Sequence, residues 1–230
     1  MSKRAWILWR GHLAVCMLAL ALCALAACVK EAAIPPNVVL ITLDTTRLDH
    51  LGVYGYQRPV SPEIDRFARE AVVYRRAWAT APWTLPSHAS IFTGLYPTTH
   101  GARMNEKAGE SMFGNRVTRL GESIVTLAEL LRAAGYATAA FAGGPWLSPE
   151  FGLLQGYSVQ HAGLPAGGRL LEHTPNPKNI WEMPVNRAAD ELTDAALAWL
   201  RSVPRRQPAH VMINYFDPHR PYQVHPGYDL

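Results

Sequence analysis

The segment TAPWTLPSHASIFTGLYPTTHG, positions 80–101, contains the hydroxyls whose spacing best suits nucleophilic chemistry. Pro86 favours the first turn of a helix and Gly94 favours its end, so Thr84 is expected just before a short helix. Free backbone N–H groups and the helix dipole favour a bound anion at such a position. A hydroxyl there can attack an anionic centre when a metal or a base lowers its pKa. The alternative is that Thr84 only caps the helix.

Carboxylates and a histidine follow two other predicted strands. Asp44 comes directly after NVVLITL at 37–43, where a rigidly held carboxylate suits a hard metal ion. An Asx-turn or a helix N-cap is the alternative for this residue. In NYFDPHRPY, Asp217 and His219 follow the run HVMINYF at 210–216. His219 could be a ligand, a proton donor to a leaving group or a substrate contact, and a surface histidine is the alternative.

Hydrophobic periodicity and Gly and Pro signals indicate the elements that must position these residues. The apolar runs predict strands at 37–43, 72–78, 136–142 and 210–216. Helical patterns begin at Ser61–Pro62 and cover 123–135 and 187–203. This alternation indicates an α/β domain with a mainly parallel central sheet flanked by helices, whose sites lie at the carboxyl ends of strands. The Gly- and Pro-rich residues 143–186 are expected as a long excursion at that end.

The N-terminal segment has the features of an export signal. Basic residues at positions 3, 4 and 10 precede an uncharged apolar run over 13–27, which is short for a membrane-spanning helix. The run ends in Leu-Ala-Ala-Cys28, which resembles the lipobox of bacterial lipoproteins, where the cysteine is acylated. A plain signal peptide and an uncleaved anchor are the alternatives. We therefore expect a signal peptide at 1–27, a tether at 28–36 and a catalytic-domain portion at 37–230.

Cysteine usage and charge exclude several classes of protein. Cys16, Cys23 and Cys28 are the three cysteines of the chain, so the exported domain is expected to lack disulfides, zinc-thiolate sites and a cysteine nucleophile. Without the three basic residues of the signal, 19 basic side chains face 18 acidic ones, a net charge of +1. The sequence has no basic patch that would indicate a nucleic-acid partner.

Three sequence blocks, taken in order, resemble the sulfatase family of the alkaline phosphatase superfamily. They are NVVLITLDTTRLDHLGVYGY, SPEIDRFAREAVVYRRAWATAPWTLPSHASIFTGLYPTTHG and NYFDPHRPY. The resemblance implies an alkaline phosphatase-like α/β sandwich and a divalent metal, usually Ca²⁺ in sulfatases, with Mg²⁺, Mn²⁺ or Zn²⁺ as alternatives. It implies metal ligation by Asp44 and Thr84, catalytic roles for Thr84, His88 and His219, and substrate binding by His219 and Asp217.

The sequence departs from the family pattern at several of these positions. Sulfatases need Cys or Ser at the nucleophile position for conversion to formylglycine, and a threonine cannot give that aldehyde because its β-carbon carries a methyl group. Thr45 stands where the pattern has a second aspartate, and His88 stands where it has arginine. The remaining metal ligands of the family are expected beyond Leu230. We therefore expect a C-terminally incomplete catalytic domain with little activity by itself.

These features predict a sulfatase-like, metal-dependent hydrolase of sulfate or phosphate esters in which Thr84 attacks directly. A phosphodiesterase, phosphonate hydrolase or phospho-group transferase of the same superfamily is an alternative, and so is a non-catalytic envelope-binding lipoprotein. The expected substrate is a small anionic ester or a sulfated or phosphorylated glycan or lipid. A lipid anchor at Cys28 would hold the exported protein at a membrane. Val29 after that cysteine favours the outer membrane or the periplasmic face.

Overall fold

The computed structural model describes Met17 and residues 33–110, 116–162 and 187–219. The chain divides into two compact units, Met1–Pro35 and Pro36–Leu230, and the second contains the helices and strands named below. The predicted signal segment, with Cys28, lies outside the described residues apart from Met17. Among the helices that are described, none is both long and apolar enough to cross a membrane.

A four-stranded, fully parallel sheet forms the centre of the second unit. Its strands stand in the order β1-β6-β4-β5, and a separate antiparallel pair is formed by β2 and β3. The bounds are β1 Val38–Leu43, β2 Arg103–Met104, β3 Val117–Thr118, β4 Ala137–Ala142, β5 Val159–Ala162 and β6 Ala209–Tyr215. The parallel pairing confirms the predicted fold class, since parallel neighbours require crossover connections.

Helices cover both faces of this sheet. The α-helices are α1 Pro62–Ala68, α2 Thr84–Thr93, α3 Pro97–His100, α4 Leu127–Ala133 and α5 Ala189–Ser202. Short 3₁₀ turns lie at Leu48–His50, Gly52–Tyr54, Pro145–Leu147 and Pro149–Phe151. On one face Leu85 and Phe92 of α2 pack in a cluster with Met212 of β6. On the other face Leu192 of α5 packs in a cluster with Val211 of the same strand. The alternation of side chains along β6 therefore separates two cores.

Several local predictions are confirmed and others are wrong. The strands at 37–43, 136–142 and 210–216 form within one residue of the predicted bounds. The segment 72–78 is not a strand, and its Val72 is 82% exposed, so the apolar run has no sheet neighbour among the described residues. β5 lies inside 143–186, where no strand was predicted.

β1 differs from the expectation of a strand buried on both faces. Its burial alternates, and Val39 and Ile41 are 53% and 54% exposed. β1 is an edge strand of the described sheet, paired only with β6, which explains why its apolar run is half-covered. Continuous apolar composition alone cannot separate an edge strand from a central one.

Candidate functional site

The carboxyl end of β1 and the first turn of α2 meet at a buried hydrogen bond. Thr84 Oγ1 donates to Asp44 Oδ2 at 3.1 Å, and the two residues are 9% and 8% exposed. The backbone N–H of Asp44 donates to Tyr215 O at 2.9 Å, which extends the β1–β6 ladder by one residue. The carboxylate is therefore held by regular sheet geometry, while the hydroxyl is held by the helix.

The N-terminal start of α2 shows that Thr84 does not act as a cap. The helix begins at Thr84, one residue earlier than the proline signal predicts, and Trp83 is the N-cap without a side-chain hydrogen bond. Gly94 ends the helix in a left-handed conformation, as predicted. Because the Thr84 hydroxyl donates to Asp44, the interpretation as a simple capping residue is wrong. The Asp44 carboxylate accepts this hydrogen bond, and the N-cap of the next 3₁₀ turn is Arg47 and not Asp44.

The Asp44 carboxylate is nearly buried, and within the described ranges no Lys or Arg forms an ion pair with it. Buried carboxylates are ordinarily paired with a cation or bound to a metal, since desolvation of a lone charge is costly. Carboxylate and hydroxyl oxygens suit a hard divalent cation, so Asp44 and Thr84 fit such an ion as partial ligands. No group of three His, Cys, Asp or Glu side chains with metal-binding spacing occurs in the described part of the chain.

His88 lies one turn after Thr84 and contacts its main chain, not its hydroxyl. Nδ1 is 3.0 Å from Thr84 O and Nε2 is 3.3 Å from Thr42 Oγ1. A carbonyl oxygen only accepts, so Nδ1 carries a proton and donates to it. Burial lowers the pKa of His88 below its usual value, against the opposing influence of the Asp44 carboxylate and of hydrogen bonds with Thr84 and Asn214. His88 therefore supports the first turn of α2, and its ring is not the acceptor for the Thr84 proton.

Two residues of this site were missed by sequence reasoning. Thr42 Oγ1 donates to Asn214 Oδ1, and Asn214 Nδ2 donates to Gly143 O at 2.9 Å. Thr42 and Asn214 stand opposite each other in the β1–β6 register. The available signal was a polar side chain inside each of two apolar runs, because buried polar groups in strands need partners.

The backbone after Asp44 has an unusual conformation. Thr45 has a φ of +56°, the one positive φ among non-glycine residues of the described chain. A β-branched residue is strained in that region. Its hydroxyl donates to Pro218 O at 3.1 Å, which links the β1 end to the loop after β6. The next hydroxyl, Thr46 Oγ1, is buried without a hydrogen-bond partner among the described residues.

The loop after β6 carries the other two predicted site residues. Asp217 Oδ1 accepts from the backbone N–H of Ala189, the first residue of α5, at 3.3 Å. The His219 ring stacks on Phe216, with centroids 4.2 Å apart and planes inclined by 18°. Its backbone N–H donates to Phe216 O at 2.9 Å, which closes the turn. Asp217 therefore contacts the first residue of α5. The substrate-binding role predicted for Asp217 and His219 stays a prediction.

The structure thus brings Asp44, Thr84 and His88 into direct or adjacent contact and anchors the Asp217–His219 loop beside Asp44. Sequence-distant polar groups converge at one edge because β1 and β6 are parallel neighbours. A carboxylate, a hydroxyl at a helix start and an adjacent histidine suit attack on an anionic ester with help from a cation.

Comparisons with known proteins agree with this architecture. Mouse steryl-sulfatase is 39% identical over 112 residues, which are 49% of this chain and 18% of that protein. N-acetylgalactosamine-6-O-sulfatase of Bacteroides thetaiotaomicron is 33% identical over 120 residues, 51% of this chain and 22% of that protein. The chain thus matches about a fifth of the length of these curated relatives.

A similar solved structure is the phosphonate monoester hydrolase of Agrobacterium radiobacter, with a TM-score of 0.58 and 23% identity. The likeness covers 84% of this chain and 43% of that one, and it supports the fold alone. The family profile described as sulfatase matches residues 36–229. The chain belongs to the sulfatase family.

Proposed function

We propose that this protein is a metal-dependent hydrolase of sulfate or phosphate esters whose nucleophile is the hydroxyl of Thr84. The hydrogen bond of 3.1 Å between Thr84 Oγ1 and Asp44 Oδ2 carries this proposal. It orients the hydroxyl at a buried carboxylate and at the start of a ten-residue helix, where an anionic ester is favoured. Sulfatases are divalent-metal-dependent hydrolases of sulfate esters, and Asp44 and Thr84 would hold the ion here.

The proposed reaction has two displacement steps. In the first, Thr84 Oγ1 bonds to the sulfur or phosphorus, its proton passes to Asp44, and the alcohol leaves with a proton from His219. In the second, water attacks the sulfur or phosphorus of the threonine ester and gives a proton to His219, while the Thr84 oxygen leaves and takes its proton back from Asp44. Sulfate, a phosphate monoester or a phosphonate is released. A bound divalent cation would lower the hydroxyl pKa and screen the charge of the ester oxygens.

The side-chain chemistry favours phosphoryl substrates over sulfate esters. A formylglycine hydrate can expel sulfate by collapsing to an aldehyde, whereas a threonine sulfate has to be cleaved by water. Phosphodiesters and phosphonates, or phospho-group transfer, therefore suit an unmodified threonine. Relatives named for N-acetylgalactosamine-6-sulfate groups support a sulfated or phosphorylated sugar as the organic part. Both classes of ester belong in the test.

The test compares Thr84→Ala and Thr84→Ser with the full-length wild-type protein on 4-nitrophenyl sulfate and bis(4-nitrophenyl) phosphate. We expect Thr84→Ala to lose hydrolysis of both esters and Thr84→Ser to retain it, because serine keeps the nucleophilic oxygen. Thr93→Ala is the matched control, since the Thr93 hydroxyl lies in the same helix and its hydrogen bonds are local, donated to Ala89 O and accepted from the Leu95 N–H. Undiminished turnover by a folded Thr84→Ala variant would remove Thr84 from the nucleophile role.

A non-catalytic binding protein is the second candidate. Thr45 replaces an acidic residue of the family pattern, and the described residues hold no three-ligand cluster. In that case wild-type protein would bind a sulfated glycan without releasing sulfate, and Thr84→Ala would bind it equally well. Isothermal titration with the intact glycan separates this outcome from hydrolysis.

We also propose that Cys28 is acylated and that the exported protein is anchored at the outer membrane or periplasmic face. The charged start, the apolar run and Leu-Ala-Ala-Cys support this proposal. Cys28→Ser is expected to lose incorporation of labelled palmitate in bacteria and to leave an uncleaved precursor. Cys23→Ser, in the same apolar run, is expected to incorporate labelled palmitate and to be cleaved like the wild type. Labelling of Cys28→Ser at the wild-type level would contradict the anchor.

A further inference from the structure

Asn214 is a fully buried amide in β6 between two core-forming neighbours, Met212 and Phe216. Both ends of the amide are used: Nδ2 donates to Gly143 O at 2.9 Å, and Oδ1 accepts from Thr42. The Gly143 carbonyl can only accept, so it fixes which end of the amide is the nitrogen. The oxygen of Asn214 therefore has to face Thr42.

This orientation determines the direction of the next hydrogen bond. The single proton of Thr42 goes to Asn214 Oδ1, and the same Thr42 oxygen lies 3.3 Å from His88 Nε2. On its other side, the imidazole of His88 donates from Nδ1 to Thr84 O at 3.0 Å. The ring thus lies between two oxygens, one on β1 and one on the first turn of α2, and donates a hydrogen bond to the second.

The resulting chain crosses the carboxyl ends of three adjacent strands. It starts at Gly143 after β4, passes through Asn214 in β6 and Thr42 in β1, and reaches α2 at His88 and Thr84. An apolar pair at the two strand positions would stabilise the sheet as well or better, since a buried hydrogen bond adds little net stability. A polar pair that reaches the proposed nucleophile is therefore better explained by positioning than by stability.

We propose that Asn214 and Thr42 are positioning residues that hold His88, and through it the first turn of α2, so that the Thr84 hydroxyl stays aligned with Asp44. This inference rests on the proposed function. It assigns a purpose to the histidine at the family's arginine position: the imidazole reaches Thr42 and Thr84 at the same time. Its consequence is that a change at Thr42 alters the chemical step while leaving substrate affinity nearly unchanged.

The test uses Thr42→Val and Thr42→Ser in the full-length protein. Valine keeps the shape of threonine and removes the hydroxyl, and serine restores the hydroxyl. We expect Thr42→Val to lower kcat about 10- to 100-fold with KM within about 2-fold, as small misplacements of reacting groups do. Thr42→Ser is expected to return kcat to within about 3-fold of wild type, since it rebuilds the same bond.

Thr138→Val is the matched control for loss of a buried threonine hydroxyl in the same sheet. Thr138 is 1% exposed in β4, and its hydroxyl donates to Gly156 O at 2.8 Å, away from the α2 start. Thr138→Val is expected to lower Tm by a similar amount to Thr42→Val while keeping kcat. Equal kcat losses in the two valine variants, or wild-type kcat in Thr42→Val, would overturn the positioning role.

A second readout separates failure of this inference from failure of the proposed function. In ¹⁵N-resolved NMR spectra of the histidine rings, Thr42→Val is expected to shift the His88 resonances, and Thr138→Val is expected to leave them in place. A wild-type protein without hydrolase activity would refute the proposed function. The NMR comparison would still decide whether Thr42 holds the His88 ring, and unshifted His88 resonances in Thr42→Val would overturn it.

Discussion

A substitution at Gly144 would displace the Phe216–His219 pair without mutating either residue. Gly144 lies just after β4 with φ +83° and ψ 152°, a conformation that is essentially restricted to glycine. A Cβ at this position would lie 2.5 Å from Phe216 Cδ2 and 2.8 Å from Cε2. Phe216 is 8% exposed and carries the stacked His219 ring at 4.2 Å. Gly144→Ala is therefore expected to displace both rings.

The expected cost has two parts. The backbone conformation costs an alanine about 1–3 kcal/mol. Restoring ordinary carbon–carbon contact requires the Phe216 ring to retreat by about 1 Å, and overpacking of this kind costs about 1–3 kcal/mol. We therefore expect Gly144→Ala to lower the free energy of unfolding by about 2–6 kcal/mol.

Gly135→Ala separates the two contributions. Gly135 has a similar φ of +90°, but a Cβ there would meet no atom within 4 Å. This control is expected to lose only about 1–2 kcal/mol, the cost of positive φ for a residue with a Cβ. The assay is urea unfolding of each variant, with the midpoint and slope fitted separately, alongside kcat/KM on the preferred ester. Equal destabilisation by the two variants would refute the packing of Phe216 against Gly144. An unchanged kcat/KM in a destabilised Gly144→Ala would separate His219 from the reaction.

Two further predictions concern pH and cation binding. Burial lowers the pKa of His100 and His210 in the folded protein, so the unfolded chain, with an ordinary histidine pKa of about 6.5, binds more protons as the pH falls. The free energy of unfolding is therefore expected to decrease from pH 7.5 to pH 5.5 in urea titrations, with a shallower decrease in His210→Gln; a flat profile would contradict neutral buried rings. Calcium chloride is expected to raise the Tm of full-length wild-type protein and to leave the Tm of Asp44→Asn unchanged. At a calcium concentration of 100 times Kd, the free energy of unfolding of the wild type would rise by about 2.7 kcal/mol. Equal rises in Tm would exclude Asp44 as a ligand.

The sequence was informative wherever one element was enough to place a residue. Asp44 follows a short β-branched apolar run that favours a strand, and Gly94 ends a short helix, so both positions were predictable. Parallel strands direct their carboxyl ends to one edge, which predicts that Asp44 and Asp217 lie on the same side of the sheet. The helix start was misplaced by one residue because a proline at N3 is compatible with a helix that begins earlier.

What could not be predicted depends on strand order. β1 pairs with β6, and Thr42 and Asn214 are 172 residues apart in sequence. Periodicity shows that each is polar within an apolar strand, but their contact follows only from the order β1-β6-β4-β5. The segment 72–78 was wrongly predicted as a strand for the same reason: a segment rich in β-branched residues forms a strand only if a neighbouring strand is available to pair with it.

The hydrogen bonds of the site also explain why a histidine can stand where the family pattern has arginine. The position of His88 offers two oxygens, Thr84 O and Thr42 Oγ1, on opposite sides of a planar ring, and burial lowers the pKa of that ring, which favours its neutral form. A compact imidazole can reach both, and it keeps the Asp44 carboxylate free of a fixed positive partner. A charge that is buried and unpaired within the described residues attracts a mobile cation instead. The exchange of arginine for histidine and the retention of Asp44 are therefore consistent with one requirement, that the positive charge next to Thr84 be supplied by a bound ion.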